Sequence, residues 1–127
     1  QIWEATMFSA HYKLDNLCII VDVNGLQIDG RTKDVMNTEP LDEKFTAFGC
    51  DVVKIDGHDF EQIESAFARF HANHGSGKPT CILMRTVKGK GVSYMEDNAA
   101  WHGKAPNDEE YAIGIAELAA LRRSLEV

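Results

Sequence analysis

Three largely apolar runs constrain this chain more than any other feature: Leu17-Cys18-Ile19-Ile20-Val21-Asp22, Asp51-Val52-Val53-Lys54-Ile55-Asp56-Gly57 and Thr80-Cys81-Ile82-Leu83-Met84-Arg85-Thr86. Each is strand-length and rich in branched side chains, and segments of helical periodicity lie between them. Runs that carry apolar residues on both faces belong to sheets covered on both sides. The order strand, helix, strand, helix, strand then predicts an α/β fold, a parallel sheet with helices on both faces.

The helices are read from spacing and punctuation. Residues 3–14 put Trp3, Met7, Ala10 and Leu14 on one predicted face, and residues 39–48 do the same with Leu41, Phe45 and Phe48 before Gly49 stops the helix. Asp59 followed by Gln62 predicts a capping arrangement for the next helix, whose inward side would carry Phe60, Ile63, Phe67 and Phe70. Asn107 and Glu110 open a last helix carrying Tyr111, Ile115, Leu118 and Leu121. No internal repeat, low-complexity segment or linker interrupts this order, so a single globular domain is expected.

Charge and apolar run length set the partner classes. Thirteen basic against twenty acidic residues give a net charge of −7 with no basic stripe, which repels a phosphate backbone and argues against nucleic-acid binding. The apolar runs fall far short of the roughly 20 residues needed to cross a bilayer. The first residues have neither a basic start nor a small-residue cleavage site, so no membrane association and a cytoplasmic location are expected. Cys18, Cys50 and Cys81 are unpatterned, and two of them sit inside apolar runs, which reads as reduced core thiols.

Several familiar signatures fail on inspection. Asp22-Val23-Asn24-Gly25 begins like a calcium loop, but Leu26 and Gln27 stand where that loop needs an oxygen side chain and a glycine. Gly75-Ser76-Gly77-Lys78-Pro79-Thr80 ends like a phosphate-binding loop, yet Ala72 replaces its first glycine and Pro79 removes a backbone donor. Gly89-Lys90-Gly91 lacks the third glycine of a dinucleotide fingerprint. His71 and His74 share a helix face without further metal partners, and a histidine at a helix end suits the negative dipole.

The stretch Asp22-Val23-Asn24-Gly25-Leu26-Gln27-Ile28-Asp29-Gly30 is harder to dismiss. It lies at the carboxyl end of the first strand, where open α/β sheets bind ligands, and residues 88–102 follow the third strand at the same edge. Asn24 and the carbonyls of the turn offer neutral oxygens of the kind magnesium accepts. Asn24 could equally close an Asx turn on its own backbone, and Asp22 could orient the site from behind the ligand oxygens or equally be a strand-end cap.

Read whole, the segment Glu4 to Gly30 followed by Arg85 to Pro106, with its "VDVNGLQIDG" and "WHGKAP" motifs, resembles the thiamine-diphosphate domain of transketolase, most closely the amino-terminal subunit of the bacterial two-chain form. The resemblance implies the thiamine-diphosphate-binding fold. It also implies transketolase activity in the pentose phosphate pathway: transfer of a two-carbon ketol unit from a ketose phosphate to an aldose phosphate. On it, Asn24 and the Leu26 carbonyl would bind the Mg2+ (or Ca2+) that holds the cofactor diphosphate, and Ile28 and Lys88 would contact the cofactor. His102 would be the active-site histidine and a substrate contact, Lys104 a further substrate contact, and Glu4 a member of the subunit interface.

The family's Gly-Asp-Gly motif, whose Asp is a metal ligand, occurs nowhere in the 127 residues. The resemblance therefore implies that residues 1–127 are the carboxyl-terminal part of the diphosphate-binding domain, inactive as an isolated fragment. A partner carboxyl-terminal transketolase subunit would supply the pyrimidine-binding domain in a homo- or hetero-oligomer, at least a dimer. The alternatives are a non-catalytic association domain that keeps the fold, or another thiamine-diphosphate enzyme such as 1-deoxyxylulose-5-phosphate synthase.

Overall fold

In the computed structural model, which describes residues 1–125, helix α1 spans Ile2–His11 and strand β1 Cys18–Val23. A small hairpin follows, β2 (Leu26–Gln27) and β3 (Gly30–Arg31), then the short α2 (Thr32–Val35), α3 (Leu41–Ala47), β4 (Asp51–Asp56), α4 (Phe60–Ala72), β5 (Thr80–Arg85), a 3-10 turn at Ala99–Trp101, and α5 (Asp108–Leu125). The described residues form two compact units: Gln1–Val23 with Thr38–Thr86, and Asn24–Asn37 with residues 87–125.

The first unit is the expected α/β layer. Strand β5 lies between β1 and β4, paired in parallel with both, so that Ile82 faces Ile20 on one side and Val53 on the other. Its sequence explains the central place, because Thr80 to Leu83 are all buried and no charge interrupts them. The edge strand β4 carries Lys54 and Asp56, both exposed, which suits an edge open to water. Alternation along the strands sends Cys81, Leu83, Ile19, Val21 and Val52 to one face against Leu41 and Phe45 of α3. Ile82, Ile55, Val53 and Met84 face the other way, against Ile63, Ala66 and Phe67 of α4.

Helix ends follow local chemistry. After α3, the Cys50 N–H donates to the Phe45 carbonyl at 3.1 Å and the Gly49 N–H to the Thr46 carbonyl at 2.9 Å, a Schellman stop with Gly49 at φ 94°. A side chain at Gly49 would be strained there and would press on Ala10, 3.3 Å away. Phe45 and Cys50 meet in the same core cluster, as that motif favours. At α4, the Glu61 and Gln62 N–H groups donate to Asp59 Oδ1 at 2.9 and 3.2 Å. The Gln62 side chain does not return to the Asp59 N–H; its Oε1 accepts from the Asp56 N–H instead, at 2.9 Å. The Asp59 N–H is already turned to the Asp56 carbonyl, which is why the reciprocal half of the cap is missing.

Two predicted faces need correction. In α1 the buried positions are Thr6 and Ser9, with their hydroxyls donating to the Ile2 and Thr6 carbonyls, while Trp3 and Met7 stay 37% and 47% exposed. Small residues let the helix approach closely, and back-bonding removes the penalty on their hydroxyls; Trp3 contributes at the margin by ring contacts with Phe45 and Phe48 at 5.2 and 5.5 Å. In α4, Phe60 is 81% exposed because the first helical position lies beyond the sheet that Ile63 and Phe67 cover.

The rejected phosphate loop has its donors engaged otherwise. The Gly75 and Gly77 N–H groups both donate to Asp15 Oδ2, at 2.8 and 3.0 Å, so a protein carboxylate occupies the anion position. Asp51 forms a two-pronged pair with Arg69, whose hydrogen bonds hold its carboxyl below the usual carboxylate range. The cysteines are free thiols, and burial pushes the Cys81 thiol up to about 12, which makes it unreactive. Among the described residues no helix is long and apolar enough to cross a membrane.

The second unit contains the β2–β3 hairpin, α2, the loop 87–107 and α5. Asn107 and Glu110 cap α5 reciprocally: the Glu110 N–H donates to Asn107 Oδ1 and the Asn107 N–H to Glu110 Oε2, both at 2.9 Å. The expected apolar face of α5 stays exposed at Tyr111, Ile115, Leu118 and Leu121, and its buried residue is Gly114, lying under the Tyr94 hydroxyl. α5 holds the loop by polar contacts, with the Ser93 N–H and Oγ both donating to Glu117.

This burial pattern predicts a sharp contrast in stability. Ile82→Ala, at a fully buried site on the central strand, should cost about 2–5 kcal/mol in denaturant unfolding. Phe60→Ala should stay within about 0.5 kcal/mol of the parent protein. A large loss at Phe60 would restore it to the core.

Candidate functional site

The site begins with a parity argument in the β2–β3 hairpin. Leu26 lies opposite Arg31, and Gln27 opposite Gly30. The Thr32 N–H donates to the Gly25 carbonyl at 3.0 Å, so Gly25–Thr32 is a hydrogen-bonded pair. Bonded and non-bonded pairs alternate in an antiparallel ladder, which makes Leu26–Arg31 the non-bonded pair. Leu26 therefore turns both its N–H and its carbonyl away from β3. On that outer edge the Leu26 N–H donates to Asn24 Oδ1 at 2.9 Å, closing an Asx turn. The Asx turn and a ligand role are compatible, because a carboxamide oxygen has two acceptor lone pairs. The fold thus brings a side-chain oxygen and a backbone carbonyl to one edge, and Gly25, at φ 73°, supplies the backbone turn between them.

The other wall comes from the loop after β5. The Asp97 N–H donates to the Lys88 carbonyl at 2.9 Å, closing a tight loop between them. Gly89 is required inside it: at φ 72°, an added Cβ would lie 2.6 Å from the Met95 carbonyl oxygen. Asn98 then caps the turn Ala99–Trp101 by accepting from the Ala100 N–H at 3.0 Å, and the His102 N–H closes the turn on the Ala99 carbonyl, also at 3.0 Å. Trp101 anchors the segment against Tyr94, ring centroids 5.0 Å apart, and the Tyr94 hydroxyl donates to the Glu110 carbonyl at 2.7 Å. His102 is left exposed beside that anchor.

Both walls line one cleft of about 320 Å3, bounded by Asn24, Leu26, Gln27, Ile28, Lys88, Ala99 and His102. Its size falls within the range of small-molecule sites. Five residues singled out from sequence meet here: Asn24, Leu26, Ile28, Lys88 and His102. Lys104 does not line the cleft; its ammonium lies 4.0 Å from the Trp101 ring centroid and 2.9 Å from Glu110 Oε1, the carboxylate that caps α5. Glu4 sits on the exposed first turn of α1. Asp22 accepts a hydrogen bond from the Thr86 hydroxyl, joining the residue after β5 to the end of β1, as a strand-end cap would.

Gln27 and Ala99 also line the cleft and were not expected from sequence. Gln27 lies inside the recognised motif, and its side-chain nitrogen donates to the Met36 carbonyl at 2.6 Å; Ala99 has no chemical signal at all. The lining offers neutral oxygens, an ammonium and an imidazole, but no carboxylate. Among the described residues no three His, Cys, Asp or Glu side chains form a metal cluster. The donors therefore fit part of the shell of a phosphate-bound divalent cation, whose remaining ligands commonly include a carboxylate, water and phosphate.

Comparison with known proteins agrees over nearly the whole chain. Residues 2–121 match the family described as transketolase, thiamine diphosphate binding domain. The chain is 41% identical over 116 residues to one of the subunits of the apulose-4-phosphate transketolase of Actinobacillus succinogenes, covering 91% of this chain and 41% of that protein. It is 43% identical over 118 residues to 6-deoxy-6-sulfo-D-fructose transketolase subunit SqwG of a Clostridium species, covering 93% of this chain and 42% of the relative. The chain thus spans about two fifths of the length of these relatives. The crystal structure of Campylobacter jejuni transketolase superposes with a TM-score of 0.79 at 29% identity, over 91% of this chain and 18% of that one. The chain belongs to the transketolase thiamine-diphosphate-binding domain family.

Proposed function

We propose that this chain is the carboxyl-terminal part of the diphosphate-binding domain of a transketolase subunit, and that its cleft holds the magnesium–diphosphate end of thiamine diphosphate. The observation that carries this reading is the convergence of the Asn24–Ile28 turn with Lys88 and His102 on one cleft. Asn24 Oδ1 and the Leu26 carbonyl serve as two neutral oxygen ligands to Mg2+, or to Ca2+ with its looser shell. The Lys88 ammonium adds charge-assisted bonds to phosphate oxygens, and Ile28, 68% exposed here, gains an apolar cover when the cofactor packs on it. Because the lining lacks a carboxylate, we assign the remaining anionic ligand to a part of the subunit beyond residues 1–127.

When bound, the cofactor supplies the nucleophilic carbon and the electron sink for breaking and remaking a ketol carbon–carbon bond. His102 works at the sugar: its imidazole donates a proton to, or accepts one from, a sugar hydroxyl oxygen as carbonyl and alcohol interchange. The reaction is transfer of a two-carbon ketol unit between sugar phosphates. The relatives carry the word subunit in their names, which supports a separate carboxyl-terminal partner chain that completes the cofactor site. In this assembly Glu4, on the exposed first turn of α1, lies at the subunit interface. Lys104 is a further substrate contact in the complete subunit or, as its pairing with Glu110 favours, fixes the start of α5.

Titration calorimetry of thiamine diphosphate with magnesium, into the full-length subunit with and without its partner, tests the reading directly. Binding that requires magnesium supports it, and no binding in either arm would favour a non-catalytic association domain. Within the complete protein, Asn24→Ala should weaken magnesium-dependent cofactor binding by at least the roughly 10–100-fold seen when partners of metal ligands are removed; unchanged affinity would remove Asn24 from the ligand set. His102→Ala should lower kcat by about 100- to 10,000-fold while cofactor affinity changes little. A variant with normal turnover would end the catalytic assignment of His102.

A further inference from the structure

Neither Arg31 nor Asp97 lines the cleft, yet they join its two walls across 66 positions of sequence. The Arg31 guanidinium makes a two-pronged contact with the Asp97 carboxylate, at 2.8 Å to Oδ1 and more closely still to Oδ2. Arg31 is the strand partner of Leu26, so its position fixes the hairpin edge that carries the Leu26 carbonyl. Asp97 bonds the Lys88 carbonyl through its N–H and precedes Asn98, which caps the turn leading to His102. One ion pair therefore ties Leu26 on one wall to Lys88 and His102 on the other.

Three further observations fit this role. Asp97 has a φ of 53°, in the left-handed region that non-glycine residues rarely adopt and that aspartate and asparagine tolerate best. The two side chains are 48% and 45% exposed, so the pair adds little to folding stability, while its forked geometry still fixes direction. Asp34 adds a second negative charge near Arg31, so loss of the Asp97 charge would leave the guanidinium free to turn toward α2.

We propose that the Arg31–Asp97 pair is a positioning latch that holds the two walls of the cleft at the separation required by the cofactor diphosphate, an inference that rests on the function proposed above. The test is a double-mutant cycle in the full-length subunit with its partner, using Arg31→Ala, Asp97→Asn and the double variant. Asp97→Asn suits the left-handed backbone and removes only charge. Magnesium–thiamine diphosphate affinity is read by calorimetry, and hydrogen exchange is read at the Leu26, Thr32 and Asp97 amides without ligand.

Each single variant should weaken cofactor binding by about three- to tenfold, the range expected of a forked, half-exposed pair. The double variant should lose no more than the worse single one. kcat at saturating cofactor should stay within about twofold and the thermal midpoint should hold, which a merely structural role would not give. Arg31→Ala should also speed exchange at Asp97, and Asp97→Asn at Leu26, severalfold. Parent-like affinity in both single variants, or additive losses, would overturn the latch while leaving the cofactor reading intact. A parent protein that binds no cofactor would overturn both, whatever the amides show.

Discussion

Parallel pairing onto a buried central strand is the constraint on which the first unit depends. β5 exchanges backbone hydrogen bonds with β1 on one side and β4 on the other, and water reaches neither face of its middle. Ile82 and Cys81, both 0% exposed, point to opposite faces and each seeds a separate core cluster. With the backbone groups paired and both faces apolar, the carboxyl ends of β1 and β5 are set in register, Val23 opposite Arg85. The chain leaves those ends directly into the two segments that build the cleft, Asn24–Asn37 and the loop after Thr86.

The cleft itself is made by a different kind of force. Apolar burial is scarce in the second unit, where Gly114 is the buried residue of an 18-residue helix. Its order comes from backbone turns, an Asx turn at Asn24, capping at Asn98 and Asn107, and ion pairs at the surface. Directional bonds of this kind fix angles well and add modest stability each. Such an arrangement suits a ligand site, where geometry must be held while the segment stays open to a cofactor and a substrate.

Charge is distributed to the same end. The chain carries a net charge of −7, yet none of the residues lining the cleft is acidic, and Lys88 is among them. Carboxylates of the second unit are engaged in structural bonds: Asp97 with Arg31, and Glu110 with Lys104 and the Asn107 N–H. A cleft free of acidic lining in an acidic protein favours an anionic ligand without making the surface attractive to polyanions in general.

Much of this was legible in the sequence, for local reasons. Strand type and order followed from run length and branching, the Schellman stop at Gly49 from the glycine, and the α5 cap from Asn107 and Glu110 three residues apart, because each depends on neighbours along the chain. The cleft residues Asn24, Leu26, Ile28, Lys88 and His102 were recognisable because their motifs are contiguous. What the tertiary structure alone decided depends on segments meeting. It buried Thr6 and Ser9 rather than Met7 on α1, left Phe60 and much of the apolar side of α5 exposed, and turned Lys104 toward Glu110 and Trp101. It also brought Arg31 to Asp97. Helical periodicity reports which residues share a face, but only the shape of the opposing surface determines which face is covered, and an ion pair 66 positions apart has no periodicity to report it.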